Sequence, residues 1–189
     1  MFNFFKKAKS PVNDSNAPER ELYQILMAPE YKTDDYCWRD LDEEMEAVLT
    51  LFVDYWKPRF LVDHKNECAY EFMDEEAILV GVSDADIDWQ TLKDVPKEAL
   101  YRAKCRNAYF PTNIRGFRNG VAEVSWQLCP DGRYWMDEDG FGMSPDEKIE
   151  IYGYIDRTGK VVVPYQAIIN HEQWDVLFKQ AQKIVKNRK

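Results

Sequence analysis

Apolar positions recur at helical spacing in three stretches of the chain and at alternating or continuous spacing between them. In the longest stretch, Leu41, Met45, Val48, Leu49, Phe52, Val53 and Trp56 follow one another at steps of four, three, one, three, one and three. That is a single stripe at a 3.6-residue period, and it predicts an amphipathic helix over 41–56. Asp40 would cap it, Asp42, Glu43 and Glu44 would complement its positive end, and Pro58 would stop it. A shorter helix is expected from Pro18 to Met27, with Leu22, Ile25 and Leu26 on one side and Pro18 at its first position. Asn170 opens a third, with Gln173 placed for a capping-box variant. Trp174, Leu177, Phe178, Ala181, Ile184 and Val185 then line one face, and Lys179, Lys183, Lys186, Arg188 and Lys189 gather towards its negative end.

The remaining apolar segments are short and bounded by turn residues. Phe60–Val62, Cys68–Met73 and Ala77–Val82 predict strands, the last two as a hairpin around Asp74-Glu75-Glu76. Trp89–Val95 and Pro96–Lys104 predict short helices, and 106–115 a loop. Gly120–Leu128 predicts a strand, followed by a long polar loop from Pro130 to Lys148. Ile149–Ile155 and Lys160–Val163 predict a hairpin around Asp156-Arg157-Thr158-Gly159, with Pro164 ending its second strand. Strands and helices come in blocks without βαβ alternation, so the expected class is α+β: antiparallel β-hairpins and sheet with packed amphipathic helices. Residues 1–18 predict a flexible tail, because 10–18 are turn formers without periodicity. Residues 19–110 predict an α+β half and 111–189 a β module with the C-terminal helix, as two units or as one continuous domain over 19–189.

Composition narrows the function classes. The chain has 189 residues, 45% apolar and 14% aromatic, enough to build a core and to exclude wholesale disorder. Its net charge is −9, and residues 21–178 hold 16 basic against 32 acidic side chains, so the basic excess lies in the two tails. A nucleic-acid binder needs the opposite balance. The apolar run Ala47–Val53 has only seven residues between Glu46 and Asp54, well short of the roughly 18 of a membrane span. The opening Met-Phe-Asn-Phe-Phe-Lys-Lys-Ala-Lys puts apolar residues before positive ones, the reverse of a secretory leader. Its Phe2, Phe4 and Phe5 beside Lys6, Lys7 and Lys9 read either as a weak membrane-touching patch or as a frayed end. Cys37, Cys68, Cys105 and Cys129 are too far apart for a Cys-x-x-Cys site and read as reduced, mostly buried thiols. The expected location is cytoplasmic.

Candidate chemistry is sparse. Asp84-Ala85-Asp86-Ile87-Asp88 starts like a calcium loop, but Trp89 stands where glycine is needed and Val95 where the bidentate Glu is needed. These carboxylates read better as turn and cap groups. Asp137, Glu138 and Asp139, interleaved with Tyr134, Trp135 and Phe141, make an acidic, aromatic loop suited to a basic protein surface. Those six residues are the candidate partner-binding site. Lys93–Arg118 is locally basic and aromatic, a pattern a phosphate or RNA site could use, but pairing with neighbouring carboxylates accounts for it better. There is no Gly-x-Ser-x-Gly and no Gly-rich phosphate loop, and pairing of Cys68 with His64 is the weakest candidate. No catalytic residue, metal ligand or cofactor is assigned.

Two blocks carry a family resemblance. Phe117-Arg118-Asn119-Gly120-Val121-Ala122-Glu123-Val124 and Tyr152-Gly153-Tyr154-Ile155-Asp156-Arg157-Thr158-Gly159-Lys160-Val161-Val162-Val163-Pro164 resemble the first and second halves of a WG (KWG) repeat. One copy is present over about 117–164, its halves are separated by Ser125–Ile151, and Tyr152 stands in place of the family's tryptophan. The resemblance implies a small β module used as a scaffold or binding surface, and no shared catalytic residues. The expected function is a non-enzymatic cytosolic protein-binding module for a basic partner, one concrete version being an immunity or antitoxin-type inhibitor. The alternative is a metal-dependent enzyme using clustered carboxylates, either Asp84, Asp86 and Asp88 or Asp137 and Asp139.

Overall fold

A computed structural model describes residues 16–52, 55–73, 84–92, 113–128, 135–137, 140–142, 149–167 and 170–188. The fold is α+β. Helix α1 (Ala17–Met27) leads into a meander of β1 (Tyr36–Asp40), β2 (Met45–Phe52), β3 (Tyr55–Asp63) and β4 (Cys68–Glu71), all antiparallel. A second antiparallel sheet is built from β5 (Asn113–Ile114), β6 (Val121–Leu128), β9 (Ile149–Asp156) and β10 (Val161–Gln166), in the order β10-β9-β6-β5. Between β6 and β9 the chain inserts β7 (Trp135–Asp137) and β8 (Gly140–Gly142), which pair only with each other among the described strands. Helix α2 (His171–Asn187) closes the chain.

Burial places these elements in four layers. Met45, Ala47, Leu49 and Leu61 from the first sheet and Ala122, Val124, Ile151, Ile155 and Tyr165 from the second share one core with Phe117 of the β5–β6 connection, so the sheets pack face to face. On the outer face of the first sheet, Val48, Phe60, Val62 and Ala69 meet Leu22, Tyr23, Leu26 and Met27 of α1. On the outer face of the second, Val121, Tyr154, Val162 and Val163 meet Trp174, Leu177, Phe178 and Ala181 of α2.

This layering overturns the helix expected over 41–56. The segment is a hairpin arm followed by a second strand, and its apolar residues serve both faces: Met45, Ala47 and Leu49 point to the shared core, Val48 to α1. A strand covered on both sides loses its polar alternation, and seven apolar positions then match a 3.6 period by accident. Pro58 does not end a helix; it lies in β3 opposite Leu49, beside a bulge at Arg59, the setting in which a strand tolerates proline. Asp42, Glu43 and Glu44 are not first-turn helix residues but the tight turn between β1 and β2.

Smaller corrections follow the same pattern. The described part of the helix expected over Trp89–Val95 is a 3₁₀ turn, Trp89–Leu92, held beside β10 by the Asp88 N–H donating to the Tyr165 carbonyl (2.8 Å). The loop expected over 106–115 ends in β5, and the loop Pro130–Lys148 contains the β7–β8 hairpin. Pro164 does not end β10, which runs to Gln166; β10 is a sheet edge, where a missing N–H is tolerated. Cys68 is buried as expected but Cys37 is exposed. The expected N-terminal tail residues 1–15, the Asp74–Val82 half of the first hairpin, the helix Pro96–Lys104, and Cys105 and Cys129 lie outside the described residues.

Other expectations stand. Pro18 sits in the first turn of α1, and the Asn170 side chain accepts from the Gln173 N–H (2.9 Å) at the start of α2. The Asp156 carboxylate accepts from the Thr158 N–H and hydroxyl (2.9 and 2.6 Å), and Gly159 completes the turn at φ +81°. Gly153 allows close approach of its neighbour: a side chain there would sit 3.0 Å from the Val163 carbonyl oxygen and 3.2 Å from the Tyr165 ring.

Candidate functional site

One polar seam joins the two sheets. The β1–β2 turn places three consecutive non-glycine residues in the left-handed region, Asp42, Glu43 and Glu44, at φ 63°, 50° and 61°. Each costs about 1–2 kcal/mol locally, so contacts elsewhere must hold the turn. They come from the second sheet. The Glu43 carboxylate accepts from the N–H groups of Asn119 and Gly120, the latter at 2.8 Å. Those amides are exposed because Asn119-Gly120 forms the two-residue turn before β6, with φ 53° and 78°. The Arg157 guanidinium donates to the Glu43 carbonyl (2.9 Å), and the Phe117 N–H donates to the Leu41 carbonyl.

Arg157 also anchors the seam's centre. Its Nε and Nη2 donate to both oxygens of Asp63, at 2.8 and 2.7 Å, in a bidentate pair. Asp63 is 1% exposed and the Arg157 side chain 20%. Asn66 adds a backbone and a side-chain N–H to the same carboxylate. Burial alone would raise the Asp63 carboxyl; the hydrogen bonds from Arg157 and Asn66 and the guanidinium charge outweigh it and hold the group below the usual carboxylate range. Beside it, His64 Nε2 meets Glu46 at 2.7 Å and its Nδ1 meets the Tyr23 hydroxyl at 3.3 Å. Burial and the charges of Glu67 and Glu46 push the Tyr23 phenol up, away from reactivity. The Cys68 thiol is buried and donates to the Asn66 carbonyl, so His64 and Cys68 are engaged with other groups rather than each other.

A second polar feature lies where α2 crosses the β5 edge. The Arg115 N–H donates to the Glu123 carbonyl (2.9 Å), and Glu123 stands opposite Tyr154 across β6 and β9, so the three form one row under α2. The Arg115 guanidinium pairs with the Glu123 carboxylate at 3.2 Å and lies 5.2 Å from the centre of the Trp174 ring. Tyr152 packs on Trp174 with ring centres 4.6 Å apart, and Phe178 packs on Tyr154 at 5.9 Å. Burial, reinforced by the Glu123 charge, pushes the Tyr154 phenol up and keeps it neutral.

The residues singled out in the sequence are scattered across this framework. Trp135 and Asp137 fall in β7 and Phe141 in β8, with Asp137 opposite Gly140 and Met136 opposite Phe141. Tyr134, Glu138 and Asp139 lie outside the described residues, as does Lys93–Thr112 of the basic segment. Asp88 takes the cap role: its carboxylate accepts from the Gln90 N–H (3.1 Å) and its carbonyl from Thr91. Asp86 faces a cleft of about 560 Å³ between α1, β4 and the β9–β10 turn, shared with Glu19, Glu71 and Lys160. Among the described residues, no three His, Cys, Asp or Glu side chains gather as metal ligands would. No described helix is long and apolar enough to cross a membrane.

The seam was missed in the sequence because Asp63 and Arg157 are 94 positions apart, and each stands in a turn that explains it locally. In the sequence, Trp174 and Phe178 read as part of the helix stripe, and Arg115 as part of a basic run. Comparison with protein families, with curated proteins and with solved structures finds no match to this chain.

Proposed function

We propose that the chain is a non-enzymatic cytoplasmic binding module whose acidic surface docks a basic partner protein, an immunity or antitoxin-type inhibitor being the concrete version. The observation that carries this reading is the β7–β8 hairpin. It interrupts β6 and β9, which are otherwise adjacent antiparallel strands, and it pairs with neither four-stranded sheet among the described strands. The described strands of the insert belong to neither four-stranded sheet, and its sequence carries Trp135, Asp137, Glu138, Asp139 and Phe141. Aromatic residues interspersed with carboxylates in the sequence suit a basic surface, and the net charge of −9 favours approach by one. Residues 117–164 would then act as a single WG-like unit, β6, β9 and β10 serving as the scaffold that presents the insert. The metal-dependent alternative has no gathered set of ligands among the described residues to support it.

The test is capture of a partner by the full chain and by two hairpin variants, Trp135→Ala and Phe141→Ala. The partner retained by the native chain is expected to be rich in Lys and Arg, and each substitution is expected to weaken its binding about tenfold or more, equivalent to roughly 1.4 kcal/mol, with thermal unfolding unchanged. Retention of no protein at low salt, or equal retention by native chain and variants, would remove this reading.

A further inference from the structure

The turn before β6 carries a reactive pair. Asn119-Gly120 is the one Asn-Gly step in the sequence, and Asn119 is exposed to water. In such a step the backbone nitrogen of the glycine can attack the side-chain carbonyl carbon of the asparagine, because glycine has no side chain to block the approach. A bond forms between the Gly120 nitrogen and Asn119 Cγ, and the Asn119 side-chain nitrogen leaves as ammonia. Water then opens the resulting succinimide ring at one of its two carbonyls, leaving aspartate or isoaspartate at 119. The attack needs a Gly120 nitrogen that can lose its proton. It also needs rotation of the peptide between the two residues until that nitrogen meets Cγ. Asn66 and Asn113 are followed by Glu67 and Ile114, whose side chains obstruct the same approach.

Glu43 is placed against both requirements. Its carboxylate accepts from the N–H groups at either end of that rotation, those of Asn119 and Gly120, the latter at 2.8 Å. Two bonds to one carboxylate fix the torsion between them, with Asn119 and Gly120 at φ 53° and 78°. Successive amides in such a turn form a concavity that suits an anion. A carboxylate is far too weak a base to take a backbone amide proton. Its charge instead opposes the negative charge that would develop on the nitrogen. The Arg157 guanidinium, 3.7 Å from the same carboxylate, helps to keep it there.

We propose that Asn119 is a deamidation site, that Glu43 slows its conversion in the folded protein, and that conversion, once made, loosens the β1–β2 turn from the second sheet. The isoaspartate product routes the backbone through Cβ and Cγ. That puts an extra carbon between the two amides, so they no longer face one carboxylate together. The new carboxylate also brings a like charge beside Glu43. The turn at Asp42, Glu43 and Glu44 then loses two of the bonds that offset its left-handed residues.

The experiment incubates the full chain at mildly alkaline pH in oxygen-18 water. Label at residue 119 is read by peptide mass spectrometry, with the aspartate and isoaspartate peptides separated first. The samples are folded native chain, native chain in urea, and the folded variants Glu43→Ala and Glu43→Gln. Folded native protein is expected to convert about tenfold or more slowly than the unfolded chain, the scale of a hydrogen bond to a charged group. Glu43→Ala should remove most of that difference and Glu43→Gln part of it, while label at Asn66 and Asn113 stays low in every folded sample. Glu43→Gln keeps the side chain's shape and covers the case in which Glu43→Ala does not fold. Converted native protein, separated by anion exchange, should melt at a lower temperature than the unconverted fraction. Control by Glu43 is overturned if folded Glu43→Gln converts as slowly as native protein, if folded native protein converts as fast as the chain in urea, or if label rises equally at Asn66 and Asn113. Equal melting temperatures of the two fractions would overturn the loosening of the turn.

Discussion

Arg157→Ala is expected to remove about 3–5 kcal/mol of folding free energy, read as a lower denaturation midpoint with little change in denaturant slope. The size follows from what is left behind. Asp63 is 1% exposed, and without the guanidinium its carboxylate keeps only the Asn66 donors. The same deletion frees the Glu43 carbonyl and loosens a turn with three left-handed residues. The two sheets therefore lose a charge pair and a clamp together. The pH dependence has a definite sign. The folded Asp63 carboxyl is held below its ordinary value, so its stabilisation is complete above the unfolded value near 4 and is lost as pH falls through the folded one. Asp63→Asn should flatten this acid limb of the stability profile, while Arg157→Ala should destabilise the protein at pH 7. An Arg157→Ala protein as stable as the native one would show that the seam does not hold the sheets together.

Phe117→Ala is expected to cost a further independent 3–5 kcal/mol, the range for emptying a phenylalanine site in a packed core. Phe117 is 1% exposed and contributes to the core shared by both sheets. Its backbone N–H also reaches across to Leu41. Its loss should be felt on both sides, so signals from the α1 side (Trp38) and the α2 side (Trp174) should lose structure in one transition. Two separated transitions, with only the second sheet weakened, would contradict a common core.

How much of this was legible in the sequence depends on whether the decisive contacts were local. Helix α2 was readable because Asn170, Gln173 and the basic last turn are written within seventeen residues of one another, and the β9–β10 hairpin because Asp156 and Gly159 specify their own turn. The α+β class followed from those local signals. The stretch 41–56 was not readable. Whether Val48 and Leu49 lie on one helix face or on two strand faces depends on α1 and the second sheet being there to cover them, and neither is visible from within the segment. The left-handed Asp42–Glu44 turn was equally hidden, because three acidic residues before an apolar run look like a helix start, and the groups that turn them the other way, the Asn119-Gly120 amides and Arg157, lie far along the chain. The Arg115–Trp174 contact was hidden as well, because the ring belongs to the helix stripe and Arg115 stands on a different element.

Under the proposed function, a negative surface here meets a positive one on another protein. It is tested most directly by measuring the association rate with the captured partner across a range of salt concentrations. Complementary fields speed encounter and are screened over a Debye length of about 10 Å at 0.1 M salt. The association rate is therefore expected to fall steeply as salt rises while the dissociation rate changes little. An association rate indifferent to salt, or a partner carrying no excess of Lys and Arg, would contradict it.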